Sequence, residues 1–189
     1  MLTASIPLVY DAVTVSRILG LPCECNDPVP PARDGEIVVY YGGWSLTQLR
    51  RCSGSTERTL KQAWYKTYEW PALSGYYRLL LPVPRSNFRH WDAQLHHLAT
   101  IDAAWTPAPV RVAATALIVH FIDTGEDLLR GGRCRCAEAL PGNWHPEIGV
   151  YAGHVCVRRR WDFFPGKRLW LAAAKKCPNG NRLTPYITP

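Results

Sequence analysis

GGRCRCAEAL, residues 131–140, alternates two cysteines with two arginines between a glycine pair and the proline at 141. In a strand, alternate side chains share a face. Cys134, Cys136 and Glu138 then fall on one side, and Arg133, Arg135 and Ala137 on the other. Cysteine behaves as a small buried hydrophobe, whereas arginine is almost never buried without a partner. The stretch therefore reads as a strand that turns sulfur toward a core and guanidinium groups toward solvent. A metal clamp is the competing reading, with Cys134 and Cys136 joined by Cys23 and Cys25 of PCEC to make a four-thiolate site. Structural zinc normally uses C-x2–4-C, whose loop lets both sulfurs converge, so C-x-C is the weaker signal.

Outward from that stretch, the last third of the chain reads as strands. GRCRCAEAL, EIGVYAG, HVCVRRRW and RLWLAAAKK are separated by PGNWHP, by a tight turn at Gly153 and by DFFPGK. Connections this short favour an antiparallel meander, here over 133–176. Before it, PAPVRVAATALIVHFIDTGEDLL (107–129) is apolar nearly all round, the mark of a central buried helix. Shorter helices are expected at 8–20, at 45–52 behind a Ser45/Gln48 capping box, at 55–68 and at 86–99, with strands at 36–43 and 75–84. In the helix at 86–99, Phe88, Trp91, Leu95 and Leu98 form the apolar stripe. Residues 21–35, with four prolines, read as a loop, and 177–189 as a loose tail. The expected fold class is α+β, a single domain over 1–189, its antiparallel sheet packed by helices on one face.

The chain has 189 residues, 47% hydrophobic and 20% charged, a globular composition. No apolar run reaches the roughly 20 residues of a membrane span. The N-terminus lacks a basic leader, and Asp11 interrupts its apolar stretch, so a cytoplasmic, soluble protein is expected. Seven cysteines, an odd number, argue against a disulfide framework there.

The net charge of +7 is unevenly spread. Residues 1–127 carry 11 Lys/Arg against 12 Asp/Glu, and residues 128–189 carry 11 against 3. All of the excess lies in the last third of the chain. There CVRRRWDFFPGKRLW (156–170) interleaves cations with rings. Guanidinium and ammonium groups neutralise phosphates, and exposed rings stack on bases. The expected function is non-enzymatic binding through this surface, with nucleic acid as partner. Arg133, Arg135, Arg158, Arg160, Lys167 and Arg168 are the expected phosphate contacts, and Trp161 the stacking group. The alternative partner is an acidic protein surface.

A small enzyme or a zinc-stabilised protein is the third reading. His120 has Asp123 at i+3 and Asp127 at i+7, so a carboxylate would orient its imidazole. No nucleophile elbow, H-E-x-x-H or phosphate-loop signature accompanies it. His145, His154 and Cys156 form a second possible ligand set without a known spacing. No cofactor is expected.

From WYK (64–66) through GYYRLLLPVPRSN, VAATALIVHFIDTGEDLL and RCRCAEAL…IGVYAG, the chain resembles bacterial hypothetical proteins with a W-Y…G-Y-Y…H-x-x-x-T-G-E-x-L layout. The resemblance spans roughly 64–175 and includes His120, Thr124, Gly125 and Glu126. It implies a recurring helix-then-meander unit and no activity.

Overall fold

The computed structural model describes residues 8–23, 25–52, 72–151 and 153–178. The helix expected at 55–68, and the tail beyond Pro178, lie outside them. The described chain is α+β, with four helices and two mixed sheets. None of its helices is long and apolar enough to cross a membrane.

The first sheet begins with β1 (Leu8–Tyr10), parallel to β2 (Ile37–Tyr41). Between them runs α1 (Ala12–Leu19). A single helix over 8–20 is not what forms. The Asp11 side chain accepts the Thr14 N–H at 2.7 Å from an extended backbone, which fixes the helix start at Ala12. Residues 8–10 are left extended and cover the edge of β2. That hydrogen bond holds the Asp11 carboxyl below its ordinary range. Gly20 closes the helix in the left-handed region, at φ 64°. The capping box forms as read, with Gln48 N–H donating to Ser45 Oγ at 3.2 Å and Ser45 N–H to Gln48 Oε1 at 2.9 Å, just ahead of α2 (Leu46–Cys52). β3 (Gly75–Leu80) pairs antiparallel with β2.

α3 (Trp91–Ile101) starts five residues later than the expected 86–99 helix. Phe88 stands outside it, at φ 57°, and His90 is the N-cap. Of the predicted stripe the helix buries Leu98, leaves Trp91 and Leu95 half-buried and excludes Phe88; Gln94 is buried as well, because it has partners beneath it. The two-residue β4 (Thr106–Pro107) then leads into α4 (Val110–Thr124).

α4 is shorter than the expected 107–129 at both ends. Pro109 stands at its N-cap, and Gly125, at φ 74°, donates its N–H to Phe121 O. Helices do not simply cover one face of one sheet. α4 touches β2 of the first sheet and both β6 and β7 of the second, as well as α1 and α2. An element enclosed on every side needs apolar residues on every side, and ten of the eleven residues from Val110 to His120 are buried.

The second sheet has β5 (Arg133–Arg135), β6 (Trp144–Tyr151) and β7 (His154–Trp161) as an antiparallel meander. The fourth segment departs from it. β8 (Leu169–Leu171) returns on the other side of β5 and runs parallel to it, and β9 (Ala173–Lys176) enters the first sheet between β3 and β4. The switch occurs at Ala172, whose N–H donates to Arg135 O and whose carbonyl accepts from Ala108 N–H, at 2.9 and 2.8 Å. Ala172, Ala173 and Ala174 are all buried where the two sheets meet. Their small side chains allow this close approach.

Pro109 offers no side-chain cap, so the α4 N-terminus is served from a distance. Val110 N–H donates to the Glu138 carboxyl, 2.8 and 3.1 Å from its two oxygens. Burial pushes the Glu138 pKa up to about 7, against the opposing pull of the Val110 N–H and Arg111. A carboxyl whose folded pKa is raised favours the fold below its unfolded pKa and loses that contribution as pH rises through the folded value. Relative to Glu138→Gln, the native protein should lose on the order of 3 kcal/mol of stability between about pH 4.5 and pH 7. Urea unfolding of both proteins across that range checks it.

Candidate anion-binding cleft

The alternation in β5 segregates side chains as its parity requires. Cys134 and Cys136 are fully buried toward α4, and burial drives both thiols far above their ordinary range. They are protonated core residues. Arg133 and Arg135 share the other face with Glu147, the register partner of Arg135, and with Arg158 and Arg160 of β7.

That face is not open to solvent along its length. Arg135, expected as an exposed phosphate contact, is 0% exposed. α3 and the turn after β7 close over it, and its guanidinium fastens them to the sheet. Nη1 donates to Gln94 Oε1 at 3.0 Å and to Arg89 O at 3.2 Å. Nη2 donates to the carbonyls of Trp161, Asp162 and Phe164 at 2.9, 3.3 and 2.6 Å. Burial lowers its pKa to about 10, with Asp162 and Glu147 opposing the shift, so the group remains a cation at neutral pH. The carbonyl-lined cage meets both Nη groups of the planar donor fork, and only the buried Nε of that fork is left without a partner among the described residues.

The turn is braced from two more sides. His145 Nδ1 donates to Asp162 Oδ1 at 2.6 Å, and the His145 ring stacks on Trp91 with centroids 3.7 Å apart. Trp91 N–H donates to Asp162 O at 2.9 Å.

Between this turn and the sheet lies a cleft of about 520 Å³ lined by Arg133, Arg160, Lys167, Arg168, Glu147 and Phe164, together with Gly131, Gly166 and Leu169. Glu147 is buried in it. One oxygen accepts from Arg133 Nη1 at 3.0 Å and Arg160 Nη2 at 2.8 Å, the other from Arg160 Nε at 2.8 Å. The carboxylate raises the Arg160 pKa further and fixes both guanidiniums. The Arg160 guanidinium also lies over the Phe164 ring, 4.9 Å from its centroid. Lys167 and Arg168 are exposed and, among the described residues, make no ion pair. Four cations thus meet one carboxylate.

Of the expected contact residues, Arg133, Arg160, Lys167 and Arg168 come together here. Arg158 is on the same sheet face but stands over the Tyr151 ring at 5.2 Å, beside Glu147 and outside this cleft. Trp161, 48% exposed, is on the opposite face at the end of edge strand β7, edge-on to Phe163 at 5.3 Å. Sequence reasoning did not find Glu147, Gln94 or Phe164. Glu147 is the only carboxylate between 139 and 161, but its place between two arginines depends on strand register.

The other candidates are dispersed. His120 is buried, with its Nδ1 2.7 Å from Tyr10 Oη. Burial, and secondarily the Asp123 charge, raise the Tyr10 pKa to about 12, so the phenol keeps its proton. Asp123 lies 3.9 Å from Arg17, and Asp127 accepts the N–H groups of Leu129 and Gly131. The orienting carboxylate expected for His120 is replaced by a phenol. Cys23 and Cys25 are half-buried against the core. Among the described residues no three His, Cys, Asp or Glu side chains are placed to hold a metal ion. Compared with protein-family models, curated proteins and solved structures, the chain matches none.

Arg135→Met keeps the apolar stem and removes the guanidinium from five acceptors, of which only the Trp161 and Asp162 carbonyls keep a backbone N–H donor. It should cost about 3–5 kcal/mol, the loss typical of breaking one side of a buried charged network. Chemical denaturation measures this, and Arg133→Met, half-exposed, should cost less than about 1 kcal/mol.

Proposed function

We propose that this protein is a non-enzymatic binder of nucleic acid, and that the cleft holds the phosphodiester backbone. The observation that carries this reading is the charge of the cleft, with Arg133, Arg160, Lys167 and Arg168 set around the single carboxylate of Glu147. Glu147 is already engaged by two guanidiniums, so it orders the site without cancelling it. Arg158 extends the positive surface along β7, while Arg135 leaves the contact set and serves the scaffold. Guanidinium groups suit phosphate oxygens because their donors match two acceptors at once.

Salt titration of binding to short DNA and RNA oligomers tests the proposal. If four phosphates are neutralised, the logarithm of affinity should fall against the logarithm of salt concentration with a slope of about −3. Replacing both Lys167 and Arg168 with Glu should abolish binding with little change in stability, because both side chains are exposed. No detectable association at low salt would overturn the proposal.

The edge of β7 supports a second reading, in which an acidic protein segment docks there. β7 is eight residues long, terminates its sheet and carries exposed Arg158 and Arg159. Competition by polyglutamate that is lost in an Arg158/Arg159 double alanine variant, and kept in the Lys167/Arg168 variant, would favour it.

A further inference from the structure

The turn after β7 leaves in water the rings that a fold ordinarily hides. Phe164 is 46% exposed and Phe163 56%, and Phe88, on the neighbouring segment, is 60% exposed. Phe88 is held there by the fold. Its N–H donates to Gly166 O at 3.1 Å, the adjacent Asn87 Nδ2 donates to Lys167 O at 3.0 Å, and its φ of 57° is uncommon for a bulky residue. Gly166 and Lys167 line the cleft, so the segment that carries Phe88 is hydrogen-bonded to the cleft wall, while the Phe88 ring itself is not among the lining groups. Exposed rings grouped beside a charged cleft mark a contact surface more than a folding requirement.

Phe164 is also oriented. Its carbonyl is gripped by Arg135, and its ring lies against Arg160, itself fixed by Glu147. A ring held at the mouth of a cationic cleft presents a flat π-face next to phosphate-binding groups. That combination binds nucleotides whose bases are free to stack. In a duplex the base faces are already covered by one another. The cleft volume of about 520 Å³ is also that of a small-molecule site.

Resting on the nucleic-acid reading above, we infer that the site is selective for unpaired nucleotides. Phe164 and Phe88 stack on bases whose phosphates lie against Arg133, Lys167 and Arg168. The Trp161–Phe163 pair, on the outer side of the same turn, offers a further ring surface to the strand as it leaves.

The test compares fluorescence anisotropy of short labelled single strands, DNA and RNA, with that of a duplex of the same sequence. Inorganic polyphosphate serves as a charge-only competitor. Single strands should bind about tenfold or more tightly than the duplex. Phe164→Leu and Phe88→Leu should each weaken single-strand binding by about tenfold, and Phe88→Leu should leave the affinity for polyphosphate unchanged. Equal affinity for single strand and duplex, a comparison that needs no variant, overturns the inference and leaves the charged cleft standing. So do leucine variants that bind single strands as the native protein does. Failure to bind any of these polyanions overturns the reading of the cleft itself.

Discussion

The guanidinium of Arg135 is the point on which the second sheet and its outer turn depend. Burying a cation is costly, and no carboxylate touches this one directly. The carbonyls of Arg89, Trp161, Asp162 and Phe164 and the amide oxygen of Gln94 take the place of water. These acceptors come from two stretches of chain, 89–94 and 161–164, far apart in sequence. An apolar residue of the same volume would fill the space but take the guanidinium donors away from all five oxygens, leaving only the Trp161 and Asp162 carbonyls with a backbone N–H. The charge therefore fastens β5, α3 and the 161–164 turn together, and a hydrophobic replacement has no means of doing so.

What that fastening produces is a turn that is exposed and yet fixed. Carbonyls point inward to Arg135, so the side chains of Phe163 and Phe164 point outward. Asp162 adds its carboxylate to His145, and Trp91 closes the far side. A surface ordered before its ligand arrives loses less entropy on binding. On this account the buried arginine organises the site and the exposed ones make the contacts.

The alternation in GGRCRCAEAL was enough to separate sulfur from guanidinium, because parity is a local property of a strand. It was not enough to expose Arg135. Parity states which face a side chain takes and is silent about what covers that face. The cover comes from α3, some forty residues earlier, and from a turn about thirty residues later. The apolar run of α4 was legible for the same local reason, as was the capping box at Ser45. The short β1 was not, since three residues ahead of an N-cap become a strand only when β2 offers an edge. The charge asymmetry located the cleft within the last third, but the pairing of Arg133 and Arg160 through Glu147 required the register of β5, β6 and β7.

The central claim is that a charged, water-free Arg135 donates to the turn after β7. Nitrogen-15 NMR of the arginine side chains at neutral pH tests it most directly, with the signal assigned by its loss in Arg135→Lys. The account predicts individually resolved, slowly exchanging Nη protons for Arg135, correlated with carbonyl carbons between residues 161 and 164. Nη protons that average rapidly with solvent, as on a surface arginine, would contradict it.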